Sequence, residues 1–411
     1  TEKRPMAQRR SLMEDPDPVV RKAAFDGGNK VWDQYADVCA SAINHMAGTR
    51  LTLNKHRGIN HFLDVALFQA RISRPTLDAL FTALEKTIDI PRRMARAKAK
   101  ALGLKALGWQ DQEAPLPIKN EKRFEWEPGK IRLKEAFNAV FPELASFLQM
   151  AIDKNWIESE VKSGKRPGAY CTSSPFIRES RVYMTFGGSL GDLFTLAHEI
   201  GHAYHTYVMR DLRPFAQSYP MPLAESASTF AEMIFSDGVM ADPEIPPALK
   251  ANLLNMKMGD AIAFLLNIPT RFTFEKNFHE ERMKGEVGAE RLKELMVQAQ
   301  RQYYADTLTD GQEDPFFWAS KLHFYITEVT FYNFPYTFGF LLSRGLFARF
   351  KKEGADFLPK YKEFLRLSGS YSCEEVAKKA LGIDLKKPDF WISTIRSMED
   401  DLKLFEKFVL K

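Results

Sequence analysis

The segment DLFTLAHEIGHAYHTYVM, Asp192 to Met209, sets the tightest limit on what this chain can become. It holds three of the chain's 8 histidines, His198, His202 and His205, with Glu199 beside the first. On an α-helix, residues four apart differ by about 40° in azimuth and lie about 6 Å apart along the axis, so His198 and His202 face one point. Two neutral imidazoles so placed occupy two corners of a tetrahedral metal site with little strain. Glu199 can hold a water and take its proton. Asp192 is placed to cap the helix, and Phe194, Leu196, Ala197, Ile200 and Ala203 pack around the polar stripe. A fold that uses this helix for a metal must bring a third ligand from a neighbouring helix. Without a metal, the same residues make a solvated helix face with a histidine pair.

The stretch PLAESASTFAEMIF, Pro222 to Phe235, offers that ligand. Glu225 and Glu232 stand seven residues apart on one face of a helix otherwise rich in Ala, Thr, Phe and Met. Buried carboxylates are costly unless paired or metal-bound. Glu225 would complete a His-His-Glu set, and Glu232 would orient one of the ligands from behind. Ordinary salt links on a half-exposed face are the alternative for both. His205, one turn beyond His202, reads as readily as a packed histidine as a functional one.

The rest of the chain reads mainly as helix. From Asp17 to about residue 107, apolar residues recur at three- and four-residue spacing, with an Asp-Pro start, a cap at Ser73 and a break or kink at Pro91. Residues 108–130, rich in Pro and charge, read as a connector between 1–107 and 131–411. Helix resumes from Ile131 to Val161. Gly, Pro and Ser then surround alternating runs, and RVYMTF (Arg181 to Phe186) is the expected strand of the one β island. An edge strand there would pair with an extended peptide, and the glycines of GKRPGAY and GGSLG would permit close backbone approach. The net charge of +5, with no basic block, argues against nucleic acid as a partner. No apolar run reaches the roughly 18 residues of a membrane span. Three widely spaced cysteines, Cys39, Cys171 and Cys373, fit a reducing, cytoplasmic compartment. The start, TEKRPMAQRR, has no signal-peptide core and no initiator Met, as in a fragment or a processed product.

FTLAHEIGHAYH followed by PLAESASTFAE closely resembles the zinc oligopeptidases of the thimet oligopeptidase and oligoendopeptidase F family, nearest the bacterial oligoendopeptidase F branch. LMEDPDPVVRKAAF, GKRPGAYC, RVYMTFGGSLGDLFTLAHE and LHFYITEVTFYNFPYTFGFLLS extend the resemblance from about residue 10 to the C-terminus. It implies a mainly α, zincin-type body with a small β-sheet beside the motif helix, forming a substrate channel. It implies one Zn²⁺ per chain on His198, His202 and Glu225, with Glu199 as general base and Glu232 matching a further acid of the family helix. Lys321 to Phe340 resembles the segment that brings a His and tyrosines over the metal. His323 and Tyr332 would then stabilise an oxyanion, and Tyr325 and Tyr336 would share that role or touch substrate. Tyr183 would touch the peptide from the strand. Read without the family, that late segment is an apolar helix packing into the core.

Relatives of this type usually carry a further N-terminal helical domain, and the resemblance implies that this chain begins after it. That piece is expected as a separate fragment or as naturally absent, with residues 1–107 lining the channel. The expected activity is zinc-dependent endopeptidase action on short peptides. Two alternatives stay open. One is a zinc- and peptide-binding module without turnover; the other is a carboxypeptidase in which Arg178 or Arg181 takes the C-terminal carboxylate. Oligomeric state is left open.

Overall fold

The structure, a computed structural model, describes residues 2–118, 123–165 and 168–410. Parts of the 108–130 connector and of GKRPGAYC therefore lie outside the described residues. The chain is mainly α-helical with one three-stranded sheet among the described residues. No described helix is long and apolar enough to cross a membrane. The three cysteines are free.

The longest helix runs over Pro18–His56. Asp17 opens it by accepting a hydrogen bond from the Val19 amide at 2.8 Å, with Pro18 at the first helical position. Ser73 holds the cap position of the helix Arg74–Thr87, but its hydroxyl makes no capping hydrogen bond and lies 3.2 Å from Thr76 Oγ1. The expected break comes earlier than Pro91. The next helix is Asp89–Ala101, with Pro91 inside its first turn. A proline ring there collides with the carbonyl four residues back, so the preceding helix stops at Thr87. In the connector, Trp109, Gln110 and Asp111 are buried, and Asp111 pairs with Arg21 of the long helix at 2.9 Å.

The helix expected over Ile131 to Val161 is in fact two, Trp126–Val140 and Pro142–Asp153, followed by a short strand β1, Ile157–Glu158. β2 is Tyr170–Ser174 and β3 is Glu179–Tyr183. The sheet order is β1-β3-β2, with β1 parallel and β2 antiparallel to β3. This corrects the edge-strand expectation for RVYMTF. β3 lies in the centre with both hydrogen-bonding sides taken, and the edge that can accept a peptide strand beside the motif helix is β2.

The motif helix, Leu190–Met209, is capped by Ser189 rather than by Asp192. The Ser189 hydroxyl accepts from the Asp192 amide at 3.0 Å, and the Asp192 carboxylate accepts from the Ser189 amide at 2.9 Å. Asp192 is thus the acidic half of a reciprocal capping box. The motif helix packs on the acid helix, Met221–Ala241, which packs in turn on the helix Phe334–Glu353. Contact with the acid helix is closest at Gly201, where a Cβ would lie 2.5 Å from Ser228 Cα and 2.6 Å from the Ala227 oxygen.

Elsewhere the helices Pro247–Ile262 and Ile268–Arg282 are joined by a π-helical turn, Ala263–Asn267. Pro269 has no N–H for the carbonyl of Leu265, and the helix widens there.

Candidate metal centre

His198 and His202 project from the motif helix to within 3.0 Å of each other, Nε2 to Nε2. Glu225, in the first turns of the acid helix, brings Oε2 to 3.3 Å from His198 Nε2 and 3.6 Å from His202 Nε2. A tetrahedral ion with ligand bonds of about 2.0–2.1 Å needs its ligand atoms about 3.4 Å apart. The triangle therefore has the size of three corners of such a site. Ser228 Oγ donates to Glu225 Oε2 at 2.8 Å and steadies the carboxylate. Behind His198, Nδ1 lies against the Glu232 carboxylate, an arrangement that leaves Nε2 as the lone-pair nitrogen once the ring is neutral. The two acids of one helix face thus sit differently: Glu225 nears both Nε2 atoms, and Glu232 meets the far nitrogen of His198.

The charge balance also suits a cation. Burial works against a proton on His198, but Glu232, Glu225 and Glu199 outweigh it and push the imidazole up to about 9. Burial and His198 push His202 down to about 4. Three carboxyl groups around two facing imidazoles make an acid-rich donor set that suits a cation. Glu199 is buried, and one of its oxygens has no hydrogen-bond partner in the structure. Burial, then Glu225 and Glu232, raise its proton affinity against the pull of His198, and the Cys171 amide of β2 donates to the carboxylate. The edge strand therefore runs directly past Glu199.

His323, in the turn Leu322–Tyr325, gathers with Tyr332 and Tyr336. Its ring stacks on Tyr332 at 5.6 Å and meets Tyr336 edge-on at 5.9 Å, while the two tyrosines are 5.3 Å apart. Tyr336 is raised by burial and by Tyr332, and it also feels Glu225, which ties the trio to the ligand triangle. The link is structural as well. Three residues after Tyr336, Gly339 lets its helix close on the acid helix, and Ser343 Oγ donates to the Glu225 carbonyl at 3.1 Å. Burial, Lys321 and Arg271 push His323 down to about 4, so it is a neutral imidazole near pH 7.

The loop that presents Tyr332 is clamped from both sides, which the sequence reading missed. Glu275, wholly buried on the helix Ile268–Arg282, accepts from the Phe331 amide at 2.9 Å and from Asn333 Nδ2 at 2.7 Å. Arg50 of the long helix donates to the carbonyls of Ile326 and Val329. Phe331 is held at φ 52°, a strained conformation for a bulky side chain. Burial pushes the Glu275 carboxyl up to about 7, partly offset by Phe331, Arg50, Thr330 and Asn333. With its folded value above its unfolded one, Glu275 contributes stability that is fully present below about pH 4.5 and is lost as pH rises to about 7. The advantage of the wild type over Glu275→Gln is expected to shrink by about 3 kcal/mol across that window, read by denaturant unfolding at pH 4.5 and pH 8.

Other expected site residues lie elsewhere. Tyr325 turns toward Cys39 of the long helix and away from the trio. Tyr183 stacks on Tyr170 at 4.9 Å. Both rings lie on the face of the sheet opposite Cys171 and Val182. His205 is buried and packs against Tyr219 at 4.0 Å, with Nε2 2.9 Å from Ser368 Oγ, so it is a packing residue. Arg181 pairs with Glu179 at 3.0 Å on the outer face of β3, and Arg178 sits at φ 56° in the β2–β3 turn.

Residues 120–397 match the family model described as Peptidase family M3. The chain is 28% identical over 404 residues to an oligoendopeptidase F homolog of Lactococcus lactis and 25% identical over 406 residues to oligopeptidase PepF of Bacillus subtilis. Each alignment takes in 98% of this chain but only 66% and 59% of the relative, so the chain spans less than two thirds of these relatives' length. Among solved structures, a chain from Chlamydophila abortus superposes with a TM-score of 0.87 at 22% identity, over 98% of this chain and 67% of that one. Oligoendopeptidase-F from Enterococcus faecium gives 0.74 at 23% identity, over 98% and 66%. These two likenesses establish the fold.

Proposed function

The chain belongs to peptidase family M3, and from that membership we propose that it is a zinc-dependent endopeptidase acting on short peptides. The observation that carries the reading is the convergence of ligand atoms from His198, His202 and Glu225 within 4.8 Å of one another. One Zn²⁺ per chain held by these residues would polarise the scissile carbonyl and activate a water near neutral pH. Glu199 takes that water's proton and returns it to the leaving amine. Glu232 keeps His198 in the tautomer with a free Nε2 lone pair. His323 and Tyr332, with Tyr336 alongside, donate to the oxyanion, a contribution of about 10²–10³ in rate per donor. The free edge of β2 aligns the peptide backbone without selecting side chains. Residues 1–107 form one wall of the peptide-binding cleft, with 131–411 carrying the chemistry.

Cleavage of an internally quenched peptide blocked at both ends tests the reading, alongside zinc content by elemental analysis. Internal cleavage is expected, with about one zinc per chain that is lost in Glu225→Ala. Cleavage restricted to peptides with a free C-terminus would make the protein a carboxypeptidase. Zinc without cleavage of any peptide would make it a binding module.

A further inference from the structure

Arg271 and Lys321 stand beside the histidine–tyrosine trio without a counter-charge. Arg271 lies one turn beyond the π-helical segment and donates from Nε to Asn267 Oδ1 at 2.7 Å. Lys321 immediately precedes the turn that carries His323. Both flank one ring, with the guanidinium 5.3 Å and the ammonium 5.8 Å from the centre of Phe317. Both are half-buried, and among the described residues neither forms an ion pair. Arg344 and Lys257, by contrast, share Asp401, and Arg132 pairs with Asp242.

Burial, then Arg271, push Lys321 down to about 8, and burial pushes Arg271 down to about 10. Arg10 adds to the positive field, and Glu113 lowers it from a distance without pairing. Two adjacent, partly desolvated cations repel each other, a cost that an anion between them would relieve. Lys321 directly precedes the His323 turn and shares the Phe317 ring with Arg271, which puts the pair at the border of the proposed catalytic groups.

We propose that Arg271 and Lys321 form a subsite for a carboxylate of the peptide, either its free C-terminal carboxylate or an Asp or Glu side chain. The inference rests on the peptidase reading for its ligand. The guanidinium supplies a planar fork suited to two carboxylate oxygens, and the ammonium adds a point charge. Such a subsite sets how far the anion of a bound peptide lies from the reacting bond. It selects substrates by charge where the β2 edge does not.

Calorimetric binding in a Glu199→Gln background tests this, with three peptides built on one uncharged core sequence. One has a free C-terminus, one is amidated and neutral, and one is amidated with a Glu near its end. One of the two anionic peptides is expected to bind about ten- to a hundredfold tighter than the neutral amide, and which one it is identifies the source of the carboxylate. Arg271→Gln and Lys321→Met should each erase most of that preference and leave the affinity of the neutral amide unchanged. Equal affinities for all three peptides, or a preference that survives both substitutions, overturns the proposal. Should Arg271→Gln fail to fold, Lys321→Met carries the comparison alone. Cleavage of the neutral amide by the unsubstituted protein is scored separately. No cleavage together with the charge preference would defeat the peptidase reading and leave the subsite standing.

Discussion

Glu199→Gln is expected to lower peptide hydrolysis about 10³-fold while zinc content stays unchanged. The substitution keeps the length and shape of the side chain, and the amide oxygen can still accept the hydrogen bond from Cys171. What it removes is the ability to take a proton. Glu199 is buried next to the ligand triangle but is not one of its corners. Metal content and hydrolysis should therefore separate in this variant, whereas Glu225→Ala should lose both. Undiminished hydrolysis in Glu199→Gln would mean that another group acts as the base.

The second large effect is expected from one methyl group. In Gly201→Ala the new Cβ would meet backbone atoms of Ser228 and Ala227 at 2.5–2.8 Å. Neither backbone can move without displacing its helix, so the motif and acid helices must separate or tilt. A stability loss of about 3 kcal/mol or more is expected, toward the upper end for overpacking in a close-packed interior. The same displacement parts His198 and His202 from Glu225, so zinc affinity should fall together with stability. Thermal unfolding with and without added zinc reads both effects. A variant that keeps its melting temperature and its metal would show that the two helices do not need this approach.

The local parts of the site were readable in the sequence because they obey helical periodicity. The four-residue spacing of His198 and His202, and the seven-residue spacing of Glu225 and Glu232, put each pair on one face whatever the rest of the chain does. The same spacing puts both acids on the histidine side of their helix, and the structure sets Glu225 near both Nε2 atoms and Glu232 at His198 Nδ1. Strand order was not legible, because register and neighbours depend on contacts made by residues far apart in sequence. RVYMTF has the composition of a strand in either position, and only β1, hidden at the end of a helical run, makes it central. Tyr325 and Tyr336 looked equivalent in the late aromatic segment, yet Tyr325 faces Cys39 and Tyr336 joins His323. Glu275 and Arg50 gave no signal, each being one of several charged residues on its helix and far from the other in sequence.

By itself the sequence determined that this chain has a helix able to present two imidazoles to one point, an acid helix downstream, and a mainly α body. These follow from rules acting within a few residues, where 3.6 residues per turn leaves little choice. Tertiary structure alone decided which helices touch, at Gly201 and Gly339, and which strand edge stays open. It also decided which charges end without partners, as at Arg271 and Lys321. Those outcomes depend on close packing and on pairing across long stretches of chain, where one atom too many, or one carboxylate too few, changes the result.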